Sequence, residues 1–393
     1  MYKNWHPELI TPTIPPEGNP KLEDLAFDLS TRASEFAGKL NPVVQAEIGE
    51  LVRSMNCYYS NLIEGHNTHP IDIERALNDD YSKDKTKRNL QLEARAHIET
   101  QKKIDEGALE EPIYSTQFIK SVHKEFLFKL PQEMLLVKNP DTGQEKLVCP
   151  GEFRDGDVRV GEHIAPPSEK LAKFLSFYEE QYEERNLSKI RKIIAIPAAH
   201  HRLLWIHPFY DGNGRVARLV DHAAFRKLEI GNSLWTASRG LARRSDDYKK
   251  LLMGADQQRK GDLDGRGNLS LGALIEFCVF YLEVCWDQVD DMRTMLEPDL
   301  LLNRIENYVR EKLQQEKLPR GSFEVLQYAL LRGEFERGKV TEITGYKTRQ
   351  ARTVLTELLR LKLLVSDSPK GKVRLGFPIE AAGVWFPKLF PII

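Results

Sequence analysis

Between Trp205 and Phe225 the sequence leaves little freedom of fold. A helical run ends near Trp205, and His207 stands before Pro208, which biases it away from helix. Gly212-Asn213-Gly214 then opens a new helix whose apolar positions are Val216, Leu219, Val220, Ala223 and Phe225. A glycine-rich loop at a helix N-terminus presents unpaired backbone N–H groups, and glycine lets an anion approach them closely. Arg215 and Arg218 lie in the first turn of the new helix, where guanidinium forks can grip phosphate oxygens. A helix, a phosphate-sized nest and a second helix are therefore the fixed centre of the fold.

The same loop carries chemical groups. Asp211, a hard carboxylate beside the nest, suits Mg²⁺ shared with phosphates. His207 supplies a base whose ordinary pKa of about 6.5 leaves it mostly neutral at pH 7. A P-loop is excluded, because no GxxxxGK[ST] occurs in the chain. An EF-hand fails as well, since loops begun at Asp211 or Asp262 place His222 or Ala273 where a bidentate Glu is required. A metallohydrolase built from His200, His201, His207 and Asp211 stays open as an alternative, although adjacent histidines on a helix point in different directions.

With 393 residues the chain exceeds what one compact domain usually holds, so two or three folding units are expected. Lys and Arg number 57 against 58 Asp and Glu, a balance that argues against a protein coating nucleic acid or a membrane surface. Cys57, Cys149, Cys278 and Cys285 form no CxxC pair, which indicates neither a zinc knot nor a disulfide framework and fits a reducing cytoplasm. No signal-like N-terminus and no run of about 20 apolar residues is present, so a cytoplasmic protein with no membrane partner is expected.

Five prolines before residue 21 predict an extended lead-in able to lie across a neighbouring domain. Helical spacing predicts a helix over 42–63 capped by Gly65, then helices near 71–80, 87–106, 115–129, 168–184, 187–204, 215–229, 245–258 and 270–288. Val158, Val160 and Ile164 alternate around Gly161-Glu162, which predicts a hairpin at 157–164 as the single sheet element of this region. A polar helical stretch near 298–316 reads as a linker. Three helices and a strand pair around Pro369-Lys-Gly371 follow, the order of a winged helix.

The segment His207 to Arg218 resembles the Fic-family signature HPFx[DE]GNGRxxR at every fixed position. The resemblance implies a mainly α protein: a helical Fic (Fido) core with a hairpin flap over 110–290, an N-terminal region over 1–109, a linker over 291–320 and a winged helix over 321–393. It also implies a protein adenylyltransferase that moves AMP from ATP to a Ser, Thr or Tyr hydroxyl. Carried onto this chain, His207 is the base, Asp211 the Mg²⁺ ligand, and Gly212, Asn213 and Gly214 the phosphate nest. Arg215 and Arg218 then contact phosphate, and Tyr248 lines the adenine side. Val158, Arg159, Val160 and Gly161, after Gly151-Glu-Phe-Arg154, resemble the flap that holds a target segment by strand addition.

Ser60-Asn-Leu-Ile-Glu-Gly65 resembles the family's inhibitory motif [ST]xxxE[GN], in which the Glu, here Glu64, pairs with the second signature arginine, here Arg218. Ser60 and Glu64, four apart, share a helix face. The resemblance thus implies an enzyme with a built-in brake, and admits removal of AMP or another phosphoryl transfer as alternatives. Residues 321–378 carry 11 Lys and Arg against 6 Asp and Glu. Lys347, Arg349, Arg352, Lys370, Lys372 and Arg374 offer contact to DNA or to protein, so a DNA-binding regulator whose core senses nucleotide is a competing expectation. A second copy of the chain is a further partner left open.

Overall fold

The computed structural model describes residues 4–138, 143–183 and 187–390, and its helices far outweigh its strands. Two units divide the chain, one gathering residues up to Thr31 with Asn56–Gln288, the other Arg32–Met55 with everything from Val289. Helices α1 (Pro20–Ala37), α2 (Pro42–Ile63) and α11 (Leu271–Met295) contribute residues to both. The remaining helices of the first unit are α3 (Pro70–Leu77), α4 (Lys85–Asp105), α5 (Thr116–Leu127), α6 (Leu171–Tyr182), α7 (Lys189–Ile206), α8 (Asn213–Lys227), α9 (Ala237–Arg243) and α10 (Ser245–Gly254).

The centre of this unit is α7, buried on almost every side by residues such as Ile193, Ile196, Ala199, Leu203 and Trp205. A helix without a polar face has to lie inside a bundle. Its successor α8 packs against α4, α5, α7 and α9, which fixes the loop joining α7 to α8. The proline-rich lead-in runs over the same unit: carbonyls of Pro12, Thr13 and Pro15 accept hydrogen bonds from Arg202, Tyr182 and Arg191.

Two hairpins, rather than one, lie between α5 and α6. Strands β1 (Leu136–Lys138) and β2 (Glu145–Leu147) pair antiparallel with Val137 opposite Lys146, and β3 (Arg159–Val160) and β4 (His163–Ile164) pair with Val160 opposite His163. The first hairpin corrects the expectation of a single sheet element. Its strands are three residues long and mostly exposed, so they carry no apolar alternation. Leu135 and Val148 at its base join a cluster with Ala96, Phe126, Leu127 and Leu130.

In the second unit α12 (Pro298–Gln314), expected as a linker, is packed: Leu301, Ile305, Tyr308 and Val309 are buried against α13 (Ser322–Arg332) and α16 (Ile379–Trp385). Helices α14 (Val340–Thr344) and α15 (Thr348–Arg360) follow α13, and β5 (Glu334–Phe335), β7 (Val373–Leu375) and β6 (Leu364–Val365) form an antiparallel sheet in that order. Lys372 pairs with Glu334, and Arg374 with Asp367 and Glu47, whereas Lys347, Arg349 and Arg352 on and beside α15 are exposed.

Candidate active site

The site forms where α7 ends. His207 adopts a left-handed conformation, φ 49° and ψ 64°, which stops the helix while its N–H still bonds the Leu203 carbonyl at 3.0 Å. Its own carbonyl accepts from Arg154 Nε at 2.8 Å. Arg154 is buried, and its guanidinium also donates to the carbonyls of Gly156 and Pro166 at 2.9 and 2.5 Å. One cation thus ties the base of the second hairpin to the backbone of the loop that carries His207. Burial first, then the nearby Arg154 cation, pushes the His207 imidazole down to about 4. The ring is neutral at pH 7, the form a proton acceptor needs.

The loop beyond His207 is closed by Asn213. Its carboxamide accepts the Phe209 N–H at 3.0 Å and donates to the Phe209 carbonyl at 2.9 Å, both inside the protein. The side chain of Asn213 therefore shapes the nest. Replacing it with alanine orphans two buried backbone groups and should destabilise the protein by about 1–3 kcal/mol in a denaturant titration, with no change beyond experimental error counting against this role. Gly212, at φ 80°, is the N-cap of α8, a conformation that favours glycine. Asp211 keeps about half of its side chain exposed (47%), and burial of the remainder raises its pKa.

A carboxylate already lies over the α8 N-terminus. Glu64, just past the end of α2, accepts from Arg218 Nη2 at 2.6 Å, while Ser60 Oγ and Ser60 O accept from Arg218 Nε and Nη2 at 2.9 and 3.0 Å. A Cβ built on Gly214 would lie 2.3 Å from Glu64 Oε1, so the carboxylate rests directly on this glycine. Burial would raise the Glu64 pKa, but the Arg218 guanidinium, with Arg215 and His66 beyond it, offsets this and holds the carboxyl below its usual range.

This arrangement of histidine, capped glycine loop and arginine falls within a segment, residues 114–223, that matches the Fic/DOC family. The chain carries a Fic domain. The protein adenylyltransferase Fic of Drosophila erecta is 40% identical over 70 residues, 18% of this chain and 14% of that relative, and the Drosophila virilis protein is 39% identical over the same span. The chain thus matches about one seventh of the length of these curated relatives. In fold, a Fic family protein from Desulfovibrio desulfuricans G20 is similar with a TM-score of 0.54 at 17% identity, covering 93% of this chain and 98% of that one. Fic-1 from C. elegans is similar with a TM-score of 0.51 at 16% identity, covering 69% and 71%.

The structure brings His207, Asp211, Gly212, Gly214 and Arg218 of the matched segment together with Ser60 and Glu64 of α2 and its end. Arg215 is buried, paired with Glu93 of α4 and set 5.0 Å from the Phe126 ring, and it also bonds Asp211 at 3.2 Å and acts electrostatically on Glu64. Tyr248, expected on the adenine side, is buried, with its hydroxyl 2.8 Å from His200 Nε2 and within reach of Arg218. His200 and Asp221 lie 2.6 Å apart in the same buried network. Among the described residues no group of three or more His, Cys, Asp or Glu is arranged to hold a metal. The hairpin residues Val158, Arg159, Val160 and Gly161 lie on or beside β3, with Val160 exposed. Arg154, Glu93 and His123 are the site residues that sequence reasoning missed. Arg154 alone had a visible signal, its place in Gly151-Glu-Phe-Arg154.

Proposed function

We propose that the Fic domain transfers AMP from ATP to a protein hydroxyl, and that Glu64 restrains it in the state described here. The observation that carries this reading is the Glu64 carboxylate on Arg218 and Gly214: an anion already occupies the α8 N-terminus, where arginine and backbone N–H groups favour negative charge. Withdrawal of Glu64 leaves that position to a phosphate. The names of the Drosophila relatives supply the reaction class.

In the proposed reaction the acceptor hydroxyl gives its proton to the neutral His207 imidazole. Its oxygen forms a bond to the α-phosphorus as the bond from that phosphorus to the bridging oxygen breaks, and pyrophosphate leaves. Arg218 and the backbone N–H groups of the nest hold the polyphosphate in line. Asp211 fits as a ligand for Mg²⁺, being a half-exposed carboxylate beside the nest; among the described residues no acidic cage is formed there, so the remaining ligands would come from phosphates and water. Bound there, the ion would neutralise phosphate charge. An exposed β3 edge strand suits a target segment added as a further strand.

Parallel incubations with ATP labelled at the α or the γ position test the reaction. Protein-bound label should come from the α position alone. Incorporation from the γ position would replace this reading with phosphate transfer.

A further inference from the structure

The carbonyl of the peptide joining Asp211 to Gly212 faces a buried histidine. His123, on α5, is fully buried, and its ring lies flat against Phe209 with centroids 3.7 Å apart and planes 2° apart. Its Nδ1 accepts the Gly151 N–H at 2.9 Å, so the ring proton resides on Nε2, which faces the Asp211 carbonyl at 3.3 Å. Gly151 makes this reach possible: it approaches α5 so closely that a Cβ there would lie 2.9 Å from Lys124 Cβ.

In a trans peptide the carbonyl and the N–H point to opposite sides. With the Asp211 carbonyl turned toward α5, the Gly212 N–H points the opposite way and reaches the Asp211 carboxylate. Gly212, at φ 80°, has no side chain to oppose rotation of this peptide. Asn213 locks the loop at Phe209, two residues earlier. A flip would present a carbonyl, not an N–H, to an incoming phosphate and repel it.

We propose that His123 is a positioning residue for nucleotide binding, its Nε2–H fixing the Asp211–Gly212 peptide with the N–H toward the phosphate. The inference rests on the reading of this loop as a nucleotide phosphate site. Two substitutions separate the roles of the ring nitrogens. In His123→Gln the amide nitrogen lies as many bonds from Cβ as the imidazole Nε2 and keeps the donor to Asp211. In His123→Asn the amide oxygen lies where Nδ1 does and keeps the acceptor for Gly151, but no donor reaches Asp211. Both lose the stack on Phe209.

Calorimetric titration with Mg–ATP, in a Glu64→Gly background so that the carboxylate does not compete, should find His123→Gln within about threefold of its parent. His123→Asn should be weaker by about tenfold or more, the scale set by leaving a buried acceptor unpaired. Equal affinities in the two variants, whether both unchanged or both weakened alike, overturn the proposal, the latter because the stack would then be what matters. Failure of the Glu64→Gly parent to bind ATP overturns the phosphate-site reading and this inference with it. A measurement needing no variant stands beside these: ¹⁵N-detected histidine spectra of the unmodified chain should show His123 protonated at Nε2, and a proton on Nδ1 overturns the assignment.

Discussion

Replacing His207 with alanine should remove label transfer from α-labelled ATP, by about 10²–10⁴-fold, and leave the fold in place. Its backbone holds the loop, through the N–H to Leu203 and the carbonyl to Arg154, while its ring bonds the nearby Leu204 backbone, so the substitution takes away the ring and leaves the loop's main-chain contacts. The left-handed conformation at φ 49° makes alanine slightly strained, by about 1 kcal/mol. His207→Asn, whose side chain tolerates that conformation, serves as the companion variant: equally inactive, and more stable on melting. Activity retained in both would remove His207 from the reaction.

The same ring sets a pH signature. Burial and the Arg154 cation disfavour the imidazolium and push His207 down to about 4. Above that value the ring is neutral and can take a proton; below it the base is lost. As pH falls from 7 to 5, kcat/KM should therefore show no loss attributable to this group, and its acid limb should fall near pH 4. A limb near the ordinary imidazole value of about 6.5 would place the catalytic base in a more open setting than the one observed.

How much of this was legible in the chain follows from how local each feature is. The bounds of α2 could be read because apolar spacing, Pro42 and Gly65 all bear on consecutive residues. The loop from His207 to Gly214 could be read because proline and glycine restrict the backbone wherever they occur. Glu93 and His123 lie inside regular helices, where a buried Glu and a solvated one look alike until the packing of α4 and α5 against α8 brings Arg215 and Asp211 to them. Tyr248, on α10, is buried with its hydroxyl on His200, a contact between residues 48 apart that no local spacing announces. Hairpin β1–β2 has exposed three-residue strands, and its available signal was the turn-forming composition Asn139-Pro-Asp-Thr-Gly143 rather than any alternation.

Glu64→Gly should raise transfer of α-label by about tenfold or more over the unmodified chain. Glu64 lies beyond the last residue of α2, and its own N–H bonds the Asn61 carbonyl, so glycine leaves the helix and its turn unchanged. The change removes a carboxylate resting on Gly214 and a charge-assisted hydrogen bond to Arg218, a contact of about 1.5–3 kcal/mol. If that contact sets the balance between a closed and an open site, its loss shifts the balance by about 10- to 100-fold. Arg218 keeps Ser60 but is left buried without a counter-charge, so the variant should melt below the unmodified chain when ligand-free and gain more on adding Mg–ATP. Glu64→Gln, which keeps the shape and the acceptor but not the charge, should fall between the two. An unchanged or lower rate in Glu64→Gly, with ATP-dependent stabilisation equal to that of the unmodified chain, would make Glu64 a structural partner of Arg218 and nothing more.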